Sequence, residues 1–162
     1  MRTFSLVLLR RLLFRPVPPT SSSNAQPPST ARCGGYPAPR LSLYDHLSSQ
    51  TLTTLENLLL HSLSHEPSSK VRKNSVDTVC DVANQGMARG RPWHALQSQA
   101  FSMSQNMGNG QGEKGELTRA SAYRVFAGAP NLVMDLQPAG VLDVLKRGLE
   151  DADLEVRVSL FR

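Results

Sequence analysis

The chain has 162 residues, with 18 lysines and arginines against 13 aspartates and glutamates, and only 6% of its residues are aromatic. At about 100–200 residues per domain, this length fits one domain or part of a larger protein. The two cysteines, Cys33 and Cys80, exclude a disulfide-stapled secreted scaffold, and no apolar run reaches the roughly 18 residues that a membrane span needs.

The positive charge is confined to one end of the chain. Residues 1–40 contain six arginines and no acid, whereas residues 41–162 contain 12 basic and 13 acidic side chains and so sum to −1. A basic face across the whole domain is therefore excluded, and we expect no nucleic acid among the partners.

The first 42 residues divide into a helix and a linker. Residues 3–14 are apolar apart from Arg10 and Arg11 and predict a helix of about three turns. Residues 15–42 are rich in proline, serine and glycine and predict a disordered linker, because they have too little to bury. The arginine-rich, acid-free residues 1–40 also have the composition of a mitochondrial presequence, and this alternative stays open.

Two helices are predicted next, over 43–64 and 70–88, separated by Pro67. The first has an apolar stripe at helical spacing, made of Leu52, Leu55, Leu59 and Leu63 with Leu58 beside them. The second has an apolar stripe of Val76, Val79, Cys80, Ala83 and Met87. Its other side carries four charged residues at helical spacing: Lys70, Lys73, Asp77 and Asp81.

The second half of the chain repeats this scheme. Helices are predicted over 93–105, 117–127 and 132–149, and a last one from residue 153, with a flexible insertion at 106–115. In the helix over 132–149, the pattern predicts Leu142, Leu145 and Leu149 as the buried edge. Since no segment has the strict alternation of a strand, the fold class is all-α.

Helix pairs recur every 40–45 residues or so, a period typical of HEAT and armadillo solenoids. Asp151 to Arg157 has the form D-x-x-x-x-V-R, and Glu66 to Arg72 has the same spacing with glutamate in place of aspartate. Arg119 occupies the arginine position of the middle unit, where we assigned no acid. An acid in the turn can accept backbone N–H bonds at the helix start, and an arginine one repeat on can reach it. The pattern thus predicts an α-solenoid over 43–162, of about three helix pairs with the last one truncated, held by a ladder of these acids and arginines.

A family resemblance rests on several segments in a shared order. Ser68–Gly90, followed by Trp93-His-Ala-Leu and Tyr123-Arg-Val-Phe, resembles the N-terminal HEAT repeats of the importin-β (karyopherin-β) receptors, most of all the karyopherin beta-3 branch. Val7–Leu13 is similar to the second helix of the preceding repeat, and Val141–Arg147 to the first helix of the following one. The linker and a glycine loop at 108–115 depart from the family, and its receptors are several times longer, so the resemblance implies a fragment.

The resemblance implies a non-enzymatic transport function. A receptor of this family carries protein cargo through nuclear pores, releases it on binding the small GTPase Ran in its GTP form, and docks phenylalanine-glycine (FG) repeats of nucleoporins. It implies residence in the cytoplasm, the nucleus and the nuclear pore, with mitochondria as the alternative if residues 1–40 act as a presequence. Carried onto this chain, Lys70, Lys73, Asp77 and Asp81 become the candidate Ran- or cargo-facing residues. A HEAT-repeat scaffold or a non-functional truncated product are the alternative functions.

The sequence gives only weak support for a metal site, a nucleotide site or a catalytic site. His61 and His65 have the i, i+4 spacing of a zinc pair, but position 62 is serine and no third ligand follows. The loop at 108–115 lacks the Gly-Lys-Ser/Thr of a phosphate-binding loop. Cys80 lies on an apolar stripe, and Asp77 and Asp81 have no pocket signal for acid–base chemistry. We therefore expect no enzyme, no cofactor, no metal and no membrane partner.

Overall fold

The computed structural model describes residues 2–17, 41–105, 113–134, 138–152 and 154–159. In these ranges every regular element is a helix and no strand is present, which confirms the all-α prediction. The helices are α1 (Arg2–Leu13), α2 (Leu43–His46), α3 (Ser49–His65), α4 (Ser69–Ala88), α5 (His94–Gln105), α6 (Glu113–Gly128), α7 (Asn131–Met134), α8 (Pro138–Glu150) and α9 (Leu154–Ser159). None of them is long and apolar enough to span a bilayer.

The helix predicted over 43–64 is in fact two helices. Asp45 closes the first turn of α2 by accepting hydrogen bonds from the backbone N–H and the hydroxyl of Ser42, at 2.7 and 2.8 Å. Ser48 then starts α3, since its hydroxyl accepts the N–H of Thr51 at 3.2 Å. Serine at a helix start satisfies an N–H that has no partner inside the helix, so the Ser48 cap begins a new helix within the predicted segment.

Helix boundaries also differ in the second half. The helix predicted from residue 117 begins at Glu113, so the last three residues of the expected glycine loop are helical. Residues 106–112 of that loop lie outside the described residues. The helix predicted over 132–149, at least from Pro138 onward, corresponds to α7 and to α8, which begins at Pro138. Residues 135–137 lie outside the described residues.

The two ends of the predicted linker meet each other. Pro16 and Ser42 form an isolated antiparallel bridge, and the N–H of Val17 donates to the carbonyl of Leu41 at 2.9 Å. These four residues were predicted to be part of the disordered segment, and the structure gives them defined pairing instead. Residues 18–40, the rest of that segment, lie outside the described residues.

Four helices pack side by side in a row that we call the central row: α1 contacts α4, α4 contacts α6, and α6 contacts α9. Three flanking helices cover it, with α3 on α4, α5 on α6 and α8 on α9. Each flanking helix thus precedes in sequence the central helix that it covers. One side of the central row is exposed to solvent, and the charged residues of α4 that are described below lie on this side.

The core lies between the central row and its flanking helices. Fully buried side chains include Leu63, Val79, Leu96, Tyr123 and Val156, one from each of five helices. Most of the predicted leucine stripe of α3 is buried as expected, although Leu58 is 65% exposed.

The buried edge predicted for α8 is wrong. Leu142, Leu145 and Leu149 are all exposed, and Val144 and Gly148 face the body instead. Helix α8 lies at the end of the described chain, so only its α9 side is covered by a neighbour with many contacts. The small and β-branched residues of α8 allow a close approach to α9, whereas the leucines point outward.

Candidate interaction surface

The four charged residues predicted to face a partner lie along one exposed side of α4. Lys70 is exposed and makes no hydrogen bond or ion pair with any described residue. The other three already have partners on neighbouring central helices. Arg10 of α1 pairs with Asp81 and, at 3.8 Å, with Asp77, while Lys73 Nζ lies 3.4 Å from Glu155 Oε1 of α9. The hydrogen bond to Asp81 raises the pKa of Arg10.

Two of them, Asp77 and Asp81, border a cleft of about 290 Å³ whose lining comes from all four central helices, whereas Lys70 and Lys73 lie outside its lining. Arg10, Asp77 and Asp81 form one wall, and Arg124 and Ser159 belong to the lining as well. Arg124 is half-buried and makes no side-chain hydrogen bond or ion pair with the described part of the chain. The cleft therefore combines paired charges with one cation whose donors are available to a partner.

Close packing between α4 and α6 forms the floor of this cleft. A Cβ added to Gly128 would lie 2.6 Å from the sulfur of Cys80, so the two helices can approach this closely only because residue 128 is glycine. The side-chain amide of Asn84 donates to the carbonyl of Gly128 at 2.8 Å and fixes the same contact. Burial raises the pKa of the Cys80 thiol to about 12, which leaves it a packing residue rather than a nucleophile.

Two members of the predicted ladder meet across the repeat. Arg119 Nε donates to Asp151 Oδ2 at 2.8 Å, and Arg119 Nη2 donates to Oδ1 at 3.3 Å. Both side chains are largely buried, with 15% and 6% of their surface exposed. This two-point contact joins α6 to the turn before α9. The arginine comes before its acid in the sequence, whereas the predicted ladder has the arginine one repeat on.

The first predicted arginine has a different set of partners. Arg72 is buried and donates two hydrogen bonds to the backbone carbonyl of Glu66, at 2.9 and 2.5 Å, and one to the hydroxyl of Thr118 at 3.2 Å. It thus joins α4 to α6 through a hydroxyl rather than an acid of the next unit. Burial lowers the pKa of Arg72. The Glu66 carboxylate accepts the N–H of Ser68 at 3.3 Å, at the start of α4.

The remaining ladder residues differ from expectation. Arg157 is exposed and makes no ion pair with any described residue, so the structure does not bring it to a neighbouring acid. Sequence reasoning also missed an acid in the middle unit: Glu113 stands six residues before Arg119, the same spacing that separates Glu66 from Arg72. A count along the motif would have found it.

Two ion pairs near the start of α3 were not anticipated. Arg89, just after α4, pairs with Asp45 through two nitrogens, one of them at 2.9 Å, and its guanidinium lies 5.2 Å from the centre of the Tyr44 ring. Arg91 Nη2 lies 3.0 Å from Glu56 Oε2. No short-range motif signals these contacts, because the partners are 44 and 35 residues apart in sequence.

A second, apolar groove of about 240 Å³ lies between the end of α6 and α8. Phe126, Pro130 and Val133 form one side, and Val141, Val144 and Leu145 form the other. It is lined almost entirely by carbon.

The histidine pair does not form a metal centre in the part of the chain that is described. The rings of His61 and His65 stack with centroids 4.3 Å apart, and both side chains are exposed. Among the described residues, no group of three or more histidine, cysteine or acidic side chains could hold a metal ion.

No family model, no curated protein and no solved structure matches this chain. The functional interpretation therefore depends on its own residues and geometry.

Proposed function

We propose that the chain is a fragment of a nuclear transport receptor, built as a HEAT-like α-solenoid whose central row binds protein partners under the control of RanGTP. The observation that carries the proposal is the central row itself, formed by the second helix of each pair, with a charged cleft running across all four helices. Solenoids use such continuous surfaces to bind large partners. The family resemblance supplies the identity of the partners, Ran and protein cargo.

Lys70 and Arg124 are the residues best placed to meet such a partner, because both keep free donors. Lys73, Asp77 and Asp81 hold the row together through Glu155 and Arg10, so we assign them a positioning role at the same surface.

The primary experiment is a pull-down of the chain with Ran loaded with GTP or with GDP. We expect binding to the GTP form alone. We expect Lys70→Glu to weaken this binding, because the new carboxylate repels acidic side chains of the partner that the exposed ammonium attracts. Lys146→Glu, the same change on exposed α8, is the matched control and should leave binding unchanged.

Equal binding of both nucleotide states, or of neither, would contradict the transport proposal. A scaffold has no reason to distinguish them, so the HEAT-scaffold alternative would then be favoured.

The apolar groove between α6 and α8 supports the part of the proposal that concerns nucleoporins. Its carbon lining and size suit a phenylalanine ring, and one of its sides is formed by the flanking helix α8. A phenylalanine-glycine repeat peptide should bind the chain, and Leu145→Glu, which places a charge in the groove, should abolish binding. Leu142→Glu is the matched control, since Leu142 is exposed on the same helix but does not line the groove.

The packing of α1 favours the cytoplasmic and nuclear location over the mitochondrial one. Leu13 of α1 is buried in the core, and Arg10 is held by Asp81, whereas a presequence helix must be free for import and removal. The full chain with a fluorescent protein fused to its C-terminal end should remain outside mitochondria. Mitochondrial accumulation of that fusion would favour the presequence alternative instead.

A further inference from the structure

Helix α1 has a second, uncovered side. Leu13 is buried against the body, and Leu6 and Leu9 pack partly against it. On the opposite side, Phe4, Leu8 and Leu12 recur every four residues and are 64, 41 and 52% exposed. Residues four apart lie on one helix face, so the three form a continuous apolar strip, which on a folded protein marks a contact surface.

One arginine, Arg11, lies on this same helix face, and a second, Arg15, follows the end of the helix. Arg11, in α1, and Arg15, in the turn after it, are exposed and make no hydrogen bond or ion pair with any described residue. Arg10 is different, because it turns toward α4 and is held by Asp77 and Asp81. The outer face of α1 is therefore apolar and cationic at once, and its arginines are uncompensated.

The covered side of α1 shows what kind of helix fits. There α4 packs on α1 and supplies two carboxylates four residues apart, Asp77 and Asp81, to one arginine. The outer face also combines apolar side chains with cations, Arg11 on the helix and Arg15 just after its end. A helix with carboxylates beside its apolar stripe would continue the central row beyond α1 with matched charges.

We propose that the outer face of α1 binds an acidic amphipathic helix of a partner protein. The partner's apolar stripe contacts Phe4, Leu8 and Leu12, and carboxylates beside that stripe pair with Arg11 and Arg15. This surface is distinct from the charged cleft and from the apolar groove, and it does not depend on Ran binding.

The test uses the full chain and two labelled synthetic helical peptides with the same leucine stripe. One peptide carries glutamates at i, i+4 beside the stripe, and the other carries lysines there. By fluorescence anisotropy, we expect the glutamate peptide to bind the wild type and the lysine peptide to bind weakly. The double variant Arg11→Glu/Arg15→Glu should bind the glutamate peptide roughly threefold to thirtyfold more weakly, as expected for two exposed ion pairs, and should gain affinity for the lysine peptide.

Controls separate this face from other surfaces and from misfolding. Lys146→Glu reverses a charge beside the exposed leucines of α8 and should leave binding of the glutamate peptide unchanged. Arg11→Gln/Arg15→Gln removes charge without placing acids near the end of α1, where the helix dipole disfavours them. Its circular dichroism should match the wild type, with an intermediate affinity.

Three outcomes would overturn the proposal. The two peptides could bind the wild type equally, the charge reversal could leave affinity unchanged, or Lys146→Glu could weaken binding as much as the α1 variant does. Binding of the chain to vesicles with anionic lipids but not to the glutamate peptide would also overturn it, since the occupant would then be a lipid surface.

Discussion

Helices α4 and α8 carry similar apolar patterns but lie in different surroundings. Helix α4 is packed by α1, α3 and α6, and ten of its residues are buried, including Arg72 and Thr78. Helix α8 is covered chiefly by α9, and three of its leucines face solvent. An apolar stripe therefore marks a helix face that is suited to burial, but the neighbouring helices decide whether that face is buried.

Polar contacts differ between the two regions in the same way. The central part has a largely buried arginine–aspartate pair and the buried Arg72, whereas the ion pair within α8, between Asp143 and Arg147, is about half exposed. Removing the partner of a buried charged group is costly, because water cannot reach the group to take the place of the lost partner. We therefore expect mutations in the two regions to differ in cost even where the residue types agree.

The largest contrast should come from two leucines that the sequence placed in equivalent stripes. Leu63→Ala should lower the free energy of unfolding by about 2–5 kcal/mol, because Leu63 is completely buried and its removal leaves a cavity. Leu142→Ala should change it by less than about 0.5 kcal/mol, because Leu142 is 66% exposed. Urea denaturation monitored by circular dichroism measures both. Equal costs would show that the leucine face of α8 is covered in solution.

A similar contrast is expected for two aspartates. Asp151→Asn should destabilise the fold by about 3 kcal/mol, because it leaves the Arg119 guanidinium largely buried without its counter-charge. Asp143→Asn removes the exposed i, i+4 pair with Arg147 and should cost at most about 0.5 kcal/mol. The same denaturation experiment compares them. If Asp151→Asn cost as little as its control, the pair would not hold the two units together.

The close approach of α4 and α6 can be tested from both sides. Gly128→Ala should cost about 1–3 kcal/mol, because the new methyl group meets the Cys80 sulfur and forces the helices apart. In a double-mutant cycle, Cys80→Ala should relieve part of that cost, since it removes the atom that lies nearest. Additive effects of the two changes would argue against direct contact between these positions.

Much of the helical content could be predicted from the sequence, because the helical spacing of apolar residues and the break at Pro67 are local signals. The break at Leu47 was missed, since the leucine periodicity continues through it and only the hydroxyl of Ser48 marks the new start. The burial of α8 was misjudged for another reason: periodicity identifies an apolar face but contains no information about the neighbouring helix.

The sequence predicted which charged residues lie on the candidate surface, but it did not predict their ion-pair partners. Spacing placed Lys70, Lys73, Asp77 and Asp81 on one side of a helix, where the structure also has them. That Arg10 and Glu155 would reach this side could not be inferred, because both come from distant segments brought in by packing. The contact of Arg119 with Asp151 was accessible only because the repeat spacing aligned the two units.

The smallest effect concerns the junction between α2 and the end of α4, and it depends on pH. Hydrogen bonds from Arg89, with smaller contributions from Ser42, hold the pKa of the Asp45 carboxyl well below its usual range. A group whose pKa is lower in the folded state stabilises the fold above its unfolded pKa, and this stabilisation is lost as the pH falls toward the folded value. For an aspartate, the loss begins near pH 4 and continues downward.

The Asp45→Asn variant should therefore be about 1–2 kcal/mol less stable than the wild type near neutral pH, and the difference should shrink as the pH falls below about 4. Denaturation curves of both proteins at a series of pH values measure this difference directly.

Glu56→Gln, which removes the neighbouring pair with Arg91, is the control. Burial raises the pKa of Glu56, which is opposite to the direction for Asp45. The Glu56→Gln variant should therefore still lose the stability that comes from Asp45 when the pH falls. A difference between wild type and Asp45→Asn that stayed constant down to about pH 2 would mean that the Arg89 contact does not depend on the charge of Asp45.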